Sequence, residues 1–179
     1  MILSDVGANS LLLHPDTFGK SIRTPNRLKL LKKWVQDGGS LLMIGGYLTF
    51  QGIDGRGRWH DTPVEDILPV EIMVTDDRVE VPEGFVPFVR MPEHSILDGI
   101  DGEWPFFLGY NKLTPKPGSS VLVSATEEDP LLAVWQFGKG RAAAFASDCA
   151  PHWGSTDFTE WKHYGRFWAR LCRWLCGEM

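Results

Sequence analysis

Four shortages bound what this sequence can be. Its 179 residues hold only three cysteines, at 149, 172 and 176. That is no disulfide framework, and 172 and 176 lie one helical turn apart, so free thiols in a reducing, cytoplasmic compartment are expected. No apolar run approaches the ~18 residues of a membrane-spanning helix. Basic side chains are not in excess: 18 Lys and Arg face 23 Asp and Glu for a net charge of −5, which argues against a nucleic-acid partner. The one basic cluster, Arg27, Lys29, Lys32 and Lys33, alternates with leucines and reads as the solvated face of a helix. Finally, no repeat, low-complexity tract or linker interrupts the chain, so residues 1–179 read as one domain with its own core.

What is abundant is aromatic: eight Trp and ten Phe, most of them expected in the core and some lining a cleft. The most informative stretch runs from Arg141 to Gly154. Ala142 to Ala146 is a small-residue apolar run, the pattern of a strand buried on both faces. It ends in Ser147-Asp148-Cys149-Ala150-Pro151-His152-Trp153-Gly154, which puts an acid, a thiol, an imidazole and an indole at one strand exit. In an open α/β sheet, ligands bind outside the carboxyl ends of strands.

Two other exits are predicted to meet it. Residues 2–5 read as a strand running into a small-residue loop over 6–10. A chain that starts inside a strand predicts an edge completed by another chain or by units of a longer protein. Thr24-Pro25 predicts a helix start, with Leu28, Leu31, Trp34 and Val35 on one face and Gly38-Gly39 at its end. Ser40 to Ile44 follows as a buried strand, parallel to 2–5 in a βαβ rhythm. Gly45-Gly46-Tyr47 then leaves that strand, matching neither a Walker loop nor a dinucleotide fingerprint. Residues 52–60 read as a flexible loop able to fold over a site or to lie on the surface.

Further on, 62–68 predicts a short capped helix, 70–92 irregular strands broken by Pro82, Pro87 and Pro92, and 92–100 a turn with His94 in a capping role. Residues 104–110 read as an aromatic loop and 121–125 as a strand. Residues 131–137 and 141–147 flank Gly138-Lys139-Gly140 as a β-hairpin. Asp157-Phe158-Thr159-Glu160 predicts the capped start of one long helix with Trp161, Tyr164, Trp168, Leu171 and Leu175 buried. The sheet is therefore expected to be mixed.

The rim so assembled holds Asp5, Gly7 and Asn9; Gly45, Gly46, Tyr47 and Gln51; and Asp148, Cys149, His152 and Trp153. Cys149 with His152 is the candidate nucleophile pair, with Asp148 or Asp157 to orient the imidazole. The alternative is that Cys149 is a small filler and His152 a loop anchor. One His, one thiol and one acid within five residues match no metal-ligand spacing, so neither metal nor cofactor is expected.

Asp5 to Ser10, Gly45 to Phe50, Gly138 to Arg141 and Ser147 to Trp153 together resemble the glutamine amidotransferase-like family of the class I glutamine amidotransferase superfamily, over essentially the whole chain. The resemblance implies a flavodoxin-like three-layer α/β/α sandwich with a mixed, mainly parallel sheet, a C-terminal β-hairpin and a helix. It also implies βα units ahead of residue 1. Class I glutaminases carry a cysteine on a sharp turn after a strand and a later His-Pro-Glu. Gly45-Gly46-Tyr47 stands where the cysteine is expected, and Pro151-His152-Trp153 has a histidine without the glutamate. The implied function is a non-glutaminase domain that binds a small molecule or a protein partner through Asp5, Asn9, Gly45, Gly46, Tyr47, Gln51, Asp148 and Trp153, with Trp59 also placed at the pocket. The alternatives are a cysteine-dependent hydrolase or amidotransferase using Cys149 and His152, and a homo-oligomeric assembly subunit pairing through its sheet edge.

Overall fold

A computed structural model describes residues 1–179. In chain order it contains β1 (Ile2–Ser4), α1 (Ala8–Leu12), α2 (Pro15–Lys20), α3 (Arg27–Gln36), β2 (Ser40–Ile44), β3 (Val70–Ile72), β4 (Arg78–Phe85) and β5 (Phe88–Val89). These are followed by β6 (Phe107–Asn111), β7 (Leu113–Pro115), β8 (Ser120–Ser124), β9 (Pro130–Phe137), β10 (Gly140–Phe145), α4 (Thr156–Thr159) and α5 (Tyr164–Leu175). No helix is long and apolar enough to cross a membrane.

The main sheet has six strands in the order β1-β2-β10-β9-β8-β5. β10 sits inside it, parallel to β2 with Phe145 opposite Ile44, and antiparallel to β9 with Phe145 opposite Leu132. Ala142, Ala143, Ala144 and Phe145 are all buried. Successive strand residues point to opposite faces, so both faces of β10 are covered. Phe145 packs on Phe167 and Trp168 of α5 and on Phe158 of α4, while α3 also packs on β10. β1 lies parallel to β2 with Ser4 opposite Ile44, which brings three carboxyl ends to one level.

The sheet is mixed, but it is not mainly parallel. Two pairings are parallel (β1/β2, β2/β10) and three antiparallel (β10/β9, β9/β8, β8/β5). For β8/β9 and β9/β10 the reason is that the chain advances through short connections, and short connections can join only antiparallel neighbours; β5 adds the third antiparallel pairing across a long connection. Two small antiparallel pairs, β3/β7 and β4/β6, lie outside this sheet.

Several local expectations are corrected. The small-residue loop over 6–10 turns into α1 from Ala8. The α3 cap is Asn26, whose carboxamide oxygen accepts from the N–H of Leu28 and Lys29, so the helix starts beyond Thr24-Pro25. Thr24 instead shares a hydroxyl contact of 2.6 Å with Thr17. Trp34 is 47% exposed rather than part of the buried stripe of Leu28, Leu31 and Val35. Residues 107–111 of the predicted aromatic loop form β6, paired with β4. The C-terminal helix is broken: Ser155, not Asp157, caps α4, and α5 begins only at Tyr164.

The core is one cluster of 38 buried side chains that reaches from β1 to α5. β1 is an edge strand of the sheet. Beside it Met1, Leu11, Leu30, Leu31 and Trp34, with Arg27, line an apolar groove of about 520 Å³.

Candidate functional site

The turn after β2 is shaped by its two glycines. A Cβ on Gly45 would lie 2.5 Å from the Ala146 carbonyl oxygen, so the strand exits of β2 and β10 touch only because no side chain is present there. Gly46 has φ +144, outside the range L side chains readily adopt. A Cβ there would stand 2.9 Å from Asp5 Oδ1 and 3.0 Å from Asp148 Oδ1. The carboxylates of the first and third strand exits therefore converge over the second.

A buried pair fixes this turn from behind. Asn111 Oδ1, at the end of β6, accepts from Gly46 N at 3.0 Å, and its Nδ2 donates to Gly46 O at 3.2 Å. Asp77 accepts from Asn111 Nδ2 at 2.8 Å, from Gln51 N at 2.7 Å and from Gly52 N at 2.9 Å. Burial pushes the Asp77 carboxyl above its usual pKa despite these three donors. The stretch from Gly52 to His60, read as a flexible loop over the site, packs instead on the chain leaving β1. Gly57 O accepts from Ala8 N at 2.8 Å, and the buried Trp59 donates from Nε1 to Val6 O at 2.8 Å. Trp59 is thus a strut under the rim and no pocket wall.

The cleft itself, about 220 Å³, is lined by Asp5, Tyr47, Asp148, Pro151 and His152. Asp5 is held by Leu48 N, which donates to its Oδ1 at 2.7 Å. Asp148 Oδ2 accepts from Trp153 N at 3.3 Å and lies 2.6 Å from His152 Nδ1. Burial, with the nearby Asp5 charge adding, pushes the Asp148 carboxyl up, against the pull of His152 and the Trp153 N–H. The His152 ring stacks on Trp153 at 5.0 Å and meets Tyr47 edge-on at 4.3 Å.

Glu80 of β4 ties this aromatic wall together. One carboxylate oxygen accepts from Tyr47 OH at 3.0 Å and the other from Trp153 Nε1 at 2.9 Å. Arg78, paired with Asp76 at 2.7 Å, lies 4.9 Å from the centre of the Tyr47 ring. That ion pair holds the Asp76 carboxyl well below its usual pKa.

Of the residues singled out from sequence, the structure brings together Asp5, Gly46, Tyr47, Asp148 and His152, with Trp153 behind them and Gly45 beneath. It does not bring in the others. Cys149 Sγ faces Ser4 Oγ at 4.0 Å and the Cys149 carbonyl accepts from Tyr164 OH at 2.7 Å, while Nδ1 of His152 is engaged by Asp148. The Cys149–His152 pair is therefore not formed. Asn9 lies exposed on α1. Gln51 braces the neighbouring loop through Val74 O at 2.9 Å. Asp157 sits in the first turn of α4, and the orienting acid is Asp148. Sequence reasoning missed Glu80, Asp77 and Asn111. Asp77 and Glu80 lie in the stretch read as irregular strands and Asn111 directly after the predicted aromatic loop, with no motif around any of them.

Comparison with solved structures places two close together with this chain. The cytoplasmic protein STM3548 from Salmonella typhimurium is 38% identical with a TM-score of 0.93, covering 97% of this chain and 70% of its own. The cytoplasmic protein STM1381 from Salmonella typhimurium LT2 is 42% identical with a TM-score of 0.93 and the same two coverages. A beta-galactosidase from Rahnella sp. R3 has a TM-score of 0.56 at 14% identity, over 82% of this chain and 20% of its own, which is a likeness of fold alone. No curated protein matches the chain. A family model described as "Putative glutamine amidotransferase" matches residues 1–177, and the chain belongs to that family.

Proposed function

We propose that this chain is a non-glutaminase member of its family that binds a small ligand in the cleft between Asp5, Tyr47, Asp148 and His152. It does so as one domain on a flavodoxin-like three-layer frame. The observation that carries this reading is the filling of the turn after β2. Where a nucleophile's side chain would project from Gly46, the carboxylate oxygens of Asp5 and Asp148 stand 2.9 and 3.0 Å away. Glutamine hydrolysis by a cysteine needs a thiolate beside a base and a hole for the oxyanion. Two carboxylates at that point would repel the oxyanion, and the rim's one thiol faces Ser4. Unpaired Cys149, Cys172 and Cys176 and the two cytoplasmic Salmonella relatives support a cytoplasmic setting.

The test is glutamate and ammonia release from glutamine, run on wild type and on Cys149→Ala. No release above the uncatalysed rate is expected from either protein. Release by wild type that disappears in Cys149→Ala would overturn the reading and restore a cysteine enzyme.

A further inference from the structure

Away from that cleft and independently of it, we propose that the groove beside β1, between α1 and α3, binds a small amphiphilic carboxylate: an unbranched alkyl chain whose carboxylate is held by Arg27. The groove has the make-up of a ligand site. At about 520 Å³ it falls within the size range of small-molecule clefts, which are mostly apolar with a few fixed polar groups. Leu31 is buried, whereas Met1, Leu30 and Trp34 each leave about half of their surface in water. Trp34 is a fixed wall, because its ring lies against Gly39, where an added Cβ would collide with the indole.

Arg27 is the one polar member of this wall, and nothing in the protein answers its charge. It makes no hydrogen bond or ion pair, and its buried Nε has no partner. Its neighbours on α3 are committed, Lys32 to Asp66 at 2.6 Å and Lys33 to Asp37 at 2.8 Å. With Nε covered, the two terminal nitrogens are what Arg27 can offer to the groove. They only donate, and a guanidinium fork matches a carboxylate through two parallel hydrogen bonds. A doubly charged phosphate would call for a second cation, and no other lines the groove.

The helix adds to this charge. Arg27 opens the ten-residue α3, so an anion bound there sits at the positive end of the helix. The N–H groups of Leu28 and Lys29 are already taken by Asn26, so the helix contributes field and Arg27 the hydrogen bonds. An apolar trough with one unanswered cation and no acid on its wall is complementary to one anionic head with an apolar tail. Seating the tail removes Leu30 and Trp34 from water.

The experiment is a ¹H–¹⁵N NMR titration at neutral pH with butanoate, hexanoate and octanoate, each kept below micelle formation. 1-Hexanol and n-hexylammonium serve as neutral and cationic probes. Saturable shifts are expected at the Leu30 and Leu31 amides and the Trp34 indole N–H. Affinity should rise about fourfold per added methylene, the scale of one buried CH₂. Hexanol and hexylammonium should bind at least tenfold more weakly than hexanoate. Arg27→Gln is expected to weaken hexanoate tenfold or more, the scale of one charge-assisted hydrogen bond, and to leave hexanol unchanged. Arg27→Lys, which keeps the charge without the fork, should fall between. Leu30→Asn, at an exposed position, should weaken octanoate more than butanoate. Hexanol binding as tightly as hexanoate, or hexanoate unchanged in Arg27→Gln, would overturn the carboxylate site. If Arg27→Gln does not give a native spectrum, the comparison of hexanoate with hexanol on wild type decides alone. No shift from any probe would overturn the site as well. Shifts at these groups on concentrating the protein alone would also overturn it, giving the groove to a second copy of the chain.

Discussion

Asp148 carries the most opposed set of forces of any residue in the cleft. Its side chain is 14% exposed, it faces Asp5, and it accepts from His152 and from the Trp153 N–H. Burial wins, and the carboxyl is pushed above its ordinary 3.8. A carboxyl raised in the folded state binds more protons there than in the unfolded chain, so this group's contribution is greatest below the ordinary value and is lost as pH rises through the folded one. Asp148→Asn cannot lose a proton and keeps an oxygen for His152. Denaturation midpoints measured between about pH 4 and 5.5, below the ordinary histidine range near 6.5, should therefore show wild type losing ground to the variant as pH climbs. A constant gap across that window would mean that the donors cancel burial.

At the scale of elements, the cleft is held by a loop and two strands that share no local pattern. Asp77, just before β4, anchors the turn after β2 and the start of the next loop through Gln51 N, Gly52 N and Asn111. Asp77→Ala would leave these donors buried and unpaired, at about 1–3 kcal/mol for each group that water cannot reach. A loss of at least about 2 kcal/mol in denaturant unfolding is expected, together with faster exchange of the Gln51 and Gly52 amides. A loss under about 0.5 kcal/mol, the range of ordinary surface substitutions, would mean that water replaces the carboxylate.

The same contrast explains what could be read from sequence. The α3–β2 unit and the β9–β10 hairpin are legible because their signals are local: a 3.6-residue apolar period, paired glycines, and two apolar runs flanking a short glycine turn. The parallel placement of β1, β2 and β10 follows from them, and so does the meeting of Asp5, Gly46, Tyr47, Asp148 and His152. Residues 104–110 read as an aromatic loop because β4, the partner of β6, lies far away in sequence and Phe107 and Tyr110 look alike in strand or loop. The sequence places Trp59 at the pocket because an indole near a glycine loop suits a cleft wall as well as a strut. Cys149 and His152 were close enough in sequence to be paired on paper. The turn that carries them, with His152 at φ +151, directs the imidazole to Asp148 instead.

Across the whole molecule, the free-energy profile should follow the strand order rather than the chain order. Ala142 to Phe145 hydrogen-bond to β2 on one side and β9 on the other, are covered on both faces, and support the Phe107, Phe158, Phe167 and Trp168 ring cluster through Phe145. Opening them means opening the core. β1 has one partner strand, Ile2 is 56% exposed, and only Leu3 of its three residues is buried. At the other edge β5 is two residues long, with Phe88 and Val89 each 37% exposed. Amides exchange through local openings whose cost grows with the buried contacts that must break. Native-state hydrogen exchange is therefore expected to be slowest at Leu41 to Met43 and Ala142 to Phe145, with protection approaching that of global unfolding. β8 should fall between, and β1 and β5 should exchange several orders of magnitude faster. β1 as slow as β10 in dilute solution would contradict that expectation. It would mean that another strand covers it, and protection that then fell on dilution would assign that strand to a second copy of the chain.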